Sequence, residues 1–290
     1  MINASPSVLA VLVLYKSTPL TSQTFRTLCI SLRETDLACR VKLLIYDNSP
    51  APSFPPEDIP TEHSYVHDPQ NRGLAAAYNA ALDLAFKEGR DWLLLFDQDT
   101  TVTPSYLTLA DRILREISEE HRIAAIVPKL ESGGGIVSPS RVLWAGFLAP
   151  IRRSFSGVAP FQATALNSGT LIRVSAVRHI GGFNTHFWLD YLDHWMFDQL
   201  YRAGYSVYVM DIVIQHVLSV RNFATMTEVR YRNILRAESA YHRTCRSPIE
   251  QKVYVLRLLV RALKILLQAR GLPFFRATMS HIVALLKHRN

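Results

Sequence analysis

Two carboxylates one residue apart, Asp97 and Asp99, follow an apolar run that begins at Trp92. The run shows neither a strand period nor a helix period, which predicts a strand buried on both faces. Polar residues at the C-terminal end of such a strand lie where open α/β sheets bind ligands. Carboxylate oxygens suit Mg²⁺ or Mn²⁺, and these ions in turn suit a diphosphate. The simpler alternative is a solvated turn in which an aspartate caps the next helix.

A second acidic pair, Asp190 and Asp193, is flanked by the aromatic residues Phe187, Trp188 and Trp195. At the start of a helix this spacing places both carboxylates on one side, and one of them could serve as a general base toward an acceptor hydroxyl. Exposed aromatic rings beside carboxylates are common in sugar sites, although they are also common in cores. The alternative is helix capping, with Asp190 as the N-cap and Asp193 in the first turn.

These residues must be positioned by elements that alternate between strands and helices. Strands are predicted over residues 8–14, 41–46, 92–97, 123–127 and 205–214, and helices over residues 19–33, 74–86 and 104–119. Short connections between alternating elements predict an α/β fold with a parallel sheet, right-handed crossovers and helices on both faces. A short strand followed by a helix that ends near Ile180 is also predicted.

Polar residues collect where the predicted strands end. Asp47, Asn71 with Arg72, and Asp97 with Asp99 would gather along one edge of the sheet, in a site the size of a mononucleotide. The sequence contains no Gly-rich dinucleotide loop and no Walker-type loop. Phosphate binding would therefore depend on a metal and on a cation, either Arg72 or Lys16.

His216 follows the last predicted strand. A single histidine at such a position is usually a structural residue, but its imidazole could also complete a metal site.

Charge is unevenly distributed along the 290 residues. Residues 221–290 hold 14 Lys and Arg against 3 Asp and Glu, whereas residues 1–220 hold 18 against 21. We therefore predict a domain over residues 1–220 and a basic helical region over residues 221–290, which faces an anionic surface. Three widely spaced cysteines indicate neither a disulfide framework nor a zinc site, and a reducing compartment fits. The apolar run at residues 8–14 is too short to be an anchor and lacks the basic flank of a signal peptide.

The basic region contains two helical segments, residues 253–267 and 274–287. In the first, Arg257, Arg261 and Lys264 recur at helical spacing and form a stripe on an apolar helix. Such a helix suits the interface of an anionic membrane. The alternative is a helix pair packed on the rest of the chain or on another subunit. Nucleic acid is disfavoured because leucines, rather than stacking aromatic residues, lie between the cations.

Together these segments resemble the inverting family 2 glycosyltransferases, and within them the bacterial rhamnosyltransferase-like group. The resemblance rests on Tyr46 to Ser49, Asn71 to Gly73 with Asn79, Leu95 to Thr100, Gly181 to Phe183, Phe187 to Asp193, Gly204 with Tyr205, and Tyr231 to Asn233. It implies a GT-A fold, a nucleotide-diphosphate sugar donor and a divalent cation, Mn²⁺ or Mg²⁺.

The resemblance also implies roles for individual residues. The donor would be bound by Tyr15, Asp47, Asn71, Arg72, Asp97 and Gln98, with Asp47 on the pyrimidine and Asp97 on the ribose. Asp99 would bind the metal that bridges the diphosphate, with His216 near it. Asp190 or Asp193 would take the proton of the acceptor hydroxyl. Because one base and one metal suffice, a single displacement with inversion follows.

The function predicted from the sequence is a metal-dependent inverting glycosyltransferase of bacterial surface polysaccharide synthesis, such as O-antigen. The preferred donor is dTDP-rhamnose, and the acceptor is a glycan or a lipid-linked glycan. The predicted location is cytoplasmic, peripheral at the inner face of the inner membrane. Departures from the family pattern at Lys16, Ala80 and Gln199 motivate one alternative, a non-catalytic membrane-docking subunit. A transferase using another donor, such as a UDP-sugar, and a nucleotidyltransferase are further alternatives.

Overall fold

The computed structural model describes residues 5–216, 226–267 and 271–287. Within these residues the chain packs as two compact units. The first unit comprises residues 5–141 and 149–216, and the second, here called the helical unit, comprises residues 142–148, 226–267 and 271–287. The predicted division between residues 220 and 221 lies outside the described residues and stays a prediction.

The strands are β1 (Ser7–Leu14), β2 (Arg40–Asp47), β3 (Glu62–His67), β4 (Trp92–Phe96), β5 (Ile123–Ser132), β6 (Gly135–Ser138), β7 (Ser140–Val142), β8 (Leu148–Pro150), β9 (Gly157–Val158), β10 (Ala163–Thr164), β11 (Thr170–Arg173) and β12 (Ser206–Gln215). The α-helices are α1 (Gln23–Glu34), α2 (Gly73–Lys87), α3 (Pro104–Glu116), α4 (Val174–His179), α5 (Leu192–Arg202), α6 (Glu228–Cys245), α7 (Pro248–Leu266) and α8 (Leu272–Lys287).

The large sheet has the order β3-β2-β1-β4-β11-β5-β12-β9, with β6 paired to β5. β1, β2, β3 and β4 pair in parallel, and β12 pairs in parallel with β5. The prediction of a wholly parallel sheet is wrong at β11, which is antiparallel to both β4 and β5. A parallel strand needs a long crossover, usually an α-helix, and the described segment between β5 and β11 contains no α-helix.

β1 lies at the centre of the core because all eight of its residues are buried. Alternate residues from Val8 to Leu14 pack in one cluster with Phe25 of α1 and Leu107 of α3. The intervening residues are buried on the other face, where α2 lies against β1. Helices therefore cover both faces of the sheet, as predicted.

The first helix begins later than predicted, at Gln23 rather than near Pro19. The side chain of Ser22 caps this helix by accepting a hydrogen bond from the backbone N–H of Phe25 at 3.2 Å. Thr18 and Thr21 form a hydrogen-bonded turn before it. The local capping chemistry of Ser22 therefore overrides the proline signal.

The helical unit consists of α6, α7, α8 and the turn at Trp144–Gly146. Its core contains Tyr231, Leu258 and Phe274, one from each helix. α6 was not predicted as a long helix, whereas the two predicted segments of the basic region correspond to α7 and α8. Across the described residues, no helix combines the length and the apolar character that crossing a bilayer requires.

Candidate active site

Asp97, Asp99 and His216 converge at the carboxyl edge of the sheet. One potential ligand atom from each of these side chains lies within 4.8 Å of the other two. The two aspartates follow β4 and the histidine follows β12, and a β-bridge between Thr100 and His216 joins the two strand exits. The sheet therefore brings together residues that are more than 100 positions apart in sequence.

Two atoms of this group are buried without a hydrogen-bond partner among the described residues. They are Oδ1 of Asp99 and Nδ1 of His216, which lie 3.8 Å apart. Burial raises the pKa of Asp99, the neighbouring charge of Asp97 raises it further, and His216 opposes both effects. A divalent cation would supply the missing partner and relieve the repulsion between carboxylates, so these residues fit Mg²⁺ or Mn²⁺.

Asp97 and Gln98 also organise their surroundings. The hydroxyl of Ser168, just before β11, donates to the Asp97 carboxylate. The side-chain oxygen of Gln98 accepts a hydrogen bond at 2.9 Å from the backbone N–H of Tyr15, which leaves β1. The structure therefore places the predicted donor residues Tyr15, Asp97 and Gln98 around two adjacent strand exits.

Asp47 is fully buried at the end of β2, and both of its carboxylate oxygens are engaged. They accept hydrogen bonds from the backbone N–H groups of Ser49 and Ser53, at 2.9 and 3.1 Å, and from the hydroxyl of Tyr65 at 2.7 Å. Burial opposes ionisation of Asp47, but these hydrogen bonds outweigh it and lower its pKa. In this conformation Asp47 shapes the loop after β2, and its direct contact with a base stays a prediction.

Asp68, which the sequence analysis missed, holds Arg72. Its buried carboxylate accepts hydrogen bonds from Nε of Arg72 at 2.8 Å and from the hydroxyl of Tyr46 at 3.1 Å. The Arg72 side chain remains 63% exposed at the start of α2, so its guanidinium is fixed yet accessible. The sequence signal that could have identified this pair is the spacing of four residues between Asp68 and Arg72. Asn71, directly before Arg72, has a left-handed φ of 49°.

The start of α2 lies directly against the loop that carries the second acidic pair. The backbone N–H of Leu74 donates to the carbonyl of Trp188 at 2.7 Å. Gly73 has a φ of +86°, and a Cβ there would lie 2.2 Å from the same carbonyl oxygen. Further along α2, the Asn79 amide forms two hydrogen bonds with the backbone of Phe183, at 2.7 and 2.9 Å. These contacts fix the loop before Asp190.

The acidic pair differs from the simple capping pattern. The N-cap of α5 is Tyr191, which has a left-handed φ of 63° and makes no side-chain capping bond, so the interpretation of Asp190 as the N-cap is wrong. Asp193 lies in the first turn, and its carboxylate accepts a hydrogen bond from the backbone N–H of His194 at 2.7 Å. Burial raises the pKa of Asp193; His194 opposes this effect, whereas the charges of Asp97 and Asp190 add to it.

Tyr78 of α2 links the two acidic groups electrostatically. Its buried hydroxyl has no hydrogen-bond partner among the described residues. Burial raises its pKa well above the ordinary value, and the charges of Asp97 and Asp193 raise it further. Both carboxylates therefore lie within electrostatic range of the same buried hydroxyl. The sequence analysis missed Tyr78 because it reads as an ordinary core residue of a helix.

A separate cavity of about 580 Å³ lies in the first unit. Its lining includes Phe161, Tyr201, Tyr205 and Ser206, the last at the start of β12. None of the predicted site residues lines this cavity. Of these residues, His216 belongs to the same part of the chain, but it follows the opposite end of β12 from Ser206.

Comparison with known proteins agrees with this geometry. Residues 57–172 match the model of Glycosyl transferase family 2. That segment contains Arg72, Asp97 and Asp99. A comparison with curated proteins gave no match.

Solved glycosyltransferase structures share the fold. The mannosyltransferase PcManGT from Pyrobaculum calidifontis, in complex with GDP-Man and Mn²⁺, is 14% identical with a TM-score of 0.54, over 99% of this chain and 80% of that one. S. aureus TarS is 13% identical with a TM-score of 0.51, over 96% of this chain and 53% of that one, so this chain spans about half of TarS. TarS 1–349 in complex with UDP is 12% identical with a TM-score of 0.50, over 95% and 88%. These likenesses establish the fold alone, and the predicted GT-A fold is confirmed.

Proposed function

We propose that this chain, whose residues 57–172 match the model of Glycosyl transferase family 2, is a glycosyltransferase that transfers a sugar from a nucleotide-diphosphate donor with inversion. The observation that carries the proposal is the cluster formed by Asp97, Asp99 and His216. In this cluster, Oδ1 of Asp99 and Nδ1 of His216 are buried and lack a hydrogen-bond partner within the described structure. The complexes of fold neighbours with GDP-Man and Mn²⁺ and with UDP support a nucleotide-sugar donor.

In the proposed mechanism, Asp99 and His216 would hold Mg²⁺ or Mn²⁺. When bound, the cation neutralises charge on the diphosphate leaving group. Asp97 and Gln98 contact the nucleoside, and Arg72 supplies a fixed, exposed guanidinium to the phosphates. Asp97, Gln98, Asp99 and His216 stand at strand exits and Arg72 stands at the start of the helix that follows β3, so the donor would lie along the carboxyl edge of the sheet.

We propose Asp193 rather than Asp190 as the base that takes the acceptor proton. The pKa of Asp193 is raised, which makes its carboxylate a better proton acceptor at neutral pH. It is also fixed on the first turn of α5, whereas Asp190 precedes the helix. Attack by the deprotonated hydroxyl on the anomeric carbon, opposite the diphosphate, gives inversion in one step.

The identity of the donor, the acceptor and the cellular location are also proposals. dTDP-rhamnose is the preferred donor, on the resemblance to the rhamnosyltransferase-like group, with UDP- and GDP-sugars as alternatives. The acceptor is proposed to be a glycan or a lipid-linked glycan in bacterial surface polysaccharide synthesis. The proposed location is the cytoplasm, at the inner face of the inner membrane.

The test is calorimetric titration of nucleoside diphosphates in the presence and absence of Mn²⁺. Asp99→Asn keeps the shape of the side chain but removes its charge, and it should abolish metal-dependent binding. Asp83→Asn is the matched control because Asp83 is exposed on the far half of α2. Unchanged binding by the Asp99 variant would overturn the metal assignment.

A further inference from the structure

Helix α7 of the helical unit exposes a continuous apolar face. Leu256, Val260, Leu263 and Leu267 recur at spacings of four, three and four residues, which places them on one side of the helix. Leu256 and Leu263 are 61% and 62% exposed, and Leu267 is 88% exposed. Leu259 and Leu266 widen the same face. A single exposed leucine needs no explanation, but an exposed stripe three turns long marks an interaction site.

This face is not the side on which α7 packs. Tyr254, Leu258, Ala262 and Ile265 are buried, and Tyr254, Leu258 and Ile265 pack in the core of the helical unit. The helix is therefore apolar on two opposite sides. A surface helix of a globular protein ordinarily has a single apolar side, which faces the core. The buried side accounts for folding, and the exposed side remains to be explained by a partner.

Two of the three cations in the predicted stripe, Arg257 and Arg261, bond within the helical unit. The prediction that the whole stripe is available to an anionic membrane is therefore wrong. Arg261 forms two hydrogen bonds with the buried carboxylate of Glu238, at 2.6 and 2.7 Å. Arg257 donates to the carbonyl of Ala145 at 3.1 Å. Both arginines therefore serve the internal structure of the helical unit and would not be the main contacts of an anionic surface.

Two other cations, Lys252 and Lys264, are exposed. Lys252 lies one turn before Leu256, at the N-terminal end of the apolar face, and Lys264 lies beside the face, about 80° around the helix from Leu256. No acidic residue occurs from residue 251 to residue 290. Cations that border an apolar face match a surface with negative headgroups above an apolar layer.

Other parts of the helical unit also expose apolar residues, on α8 beside cations. α8 exposes Val283 and Leu286 together with Arg276 and Lys287. Trp144, in the turn that packs against α7, is 65% exposed. Tryptophan favours the membrane–water interface because its ring is apolar and its N–H is polar.

We propose that the exposed face of α7, bordered by Lys252 and Lys264, is the surface by which this protein docks on an anionic phospholipid bilayer. The inference deepens the location given under the proposed function, but it requires neither the donor nor the metal. A second copy of the chain is the other candidate occupant, and it is disfavoured because pairing two such faces would bring the lysines of both copies together.

The experiment is co-sedimentation of the full chain with phosphatidylcholine vesicles that contain or lack phosphatidylglycerol. The native chain should bind the anionic vesicles, and added salt should weaken the binding. Leu256→Glu/Leu263→Glu should weaken it by at least about tenfold, because two carboxylates replace two inserted leucines. Lys252→Gln/Lys264→Gln should weaken binding to the anionic vesicles only. All four substitutions are at exposed positions, so the variants should have the same melting temperature as the native chain.

The matched control is Leu20→Glu/Ile30→Glu, which places the same charges at exposed apolar positions of the first unit. It should bind vesicles as the native chain does. Equal loss in the control, or undiminished binding by the α7 variant, would overturn the proposal. It would also be overturned if the native chain formed a dimer that the α7 variant disrupts and did not bind vesicles. Failure here would leave metal-dependent nucleotide binding intact, so it is distinguishable from failure of the proposed function.

Discussion

Replacing Gly73 with alanine should destabilise the first unit by about 2–3 kcal/mol. A φ of +86° costs a residue with a Cβ about 1–2 kcal/mol. The new Cβ would lie 2.2 Å from the carbonyl oxygen of Trp188, so the loop must move. That movement breaks the 2.7 Å hydrogen bond from Leu74 to Trp188, which is worth about 1 kcal/mol. Because the loop leads to Asp190 and Asp193, turnover should fall as well.

The assay is urea unfolding of the intact chain, with the midpoint compared at constant slope. Gly89→Ala is the matched control, because Gly89 has a φ of +64° but no atom lies within 4 Å of the position that a Cβ would take. It should lose only the conformational cost of about 1–2 kcal/mol, and turnover should be retained. Equal losses of stability in the two variants would refute the argument from close approach.

Charged groups give three further predictions. Asp193→Asn should abolish turnover and keep metal-dependent donor binding, whereas Asp190→Asn should retain turnover; the reverse result in a transfer assay would exchange their roles. The pKa of Asp47 is lower in the folded state, so its stabilisation is present above its ordinary pKa of 3.8 and is lost as the pH falls through the folded value. Urea titrations should therefore show a weaker loss of stability in acid for Asp47→Asn than for the native chain, and identical profiles would contradict this. Arg261→Gln should lower the melting temperature by removing two charge-assisted hydrogen bonds to the buried carboxylate of Glu238, at a cost of about 2–4 kcal/mol, whereas Lys264→Gln should not; equal shifts would contradict the assignment of Arg261 to the interior.

Much of the site could be predicted because strand exits are visible in sequence. The apolar run before Asp97 and the strand before His216 define the ends of β4 and β12, and parallel strands bring their carboxyl ends to one edge. The sequence could not show that β11 lies between β4 and β5 in the opposite direction. Strand direction depends on tertiary pairing, and four residues carry no local signal for it.

Other features depend on contacts that sequence patterns do not encode. Asp68 and Tyr78 act through burial, which becomes visible only once the neighbouring elements are placed. The division of α7 is of the same kind: its apolar residues surround the helix, so the periodicity could not tell which side packs on α6 and α8. The arginines were for that reason interpreted as surface residues, although Arg261 is paired internally.

The central claim is tested most directly by incubating the chain with dTDP-rhamnose, UDP-sugars and GDP-sugars, with Mn²⁺ or with a chelator, and identifying the released product. Slow metal-dependent release of a nucleoside diphosphate from one donor class is the predicted result, because water can replace the acceptor hydroxyl. That release should disappear in Asp99→Asn and persist in Asp83→Asn. Release of pyrophosphate would instead indicate nucleotidyl transfer and contradict the account, as would the absence of metal-dependent release and binding with every donor.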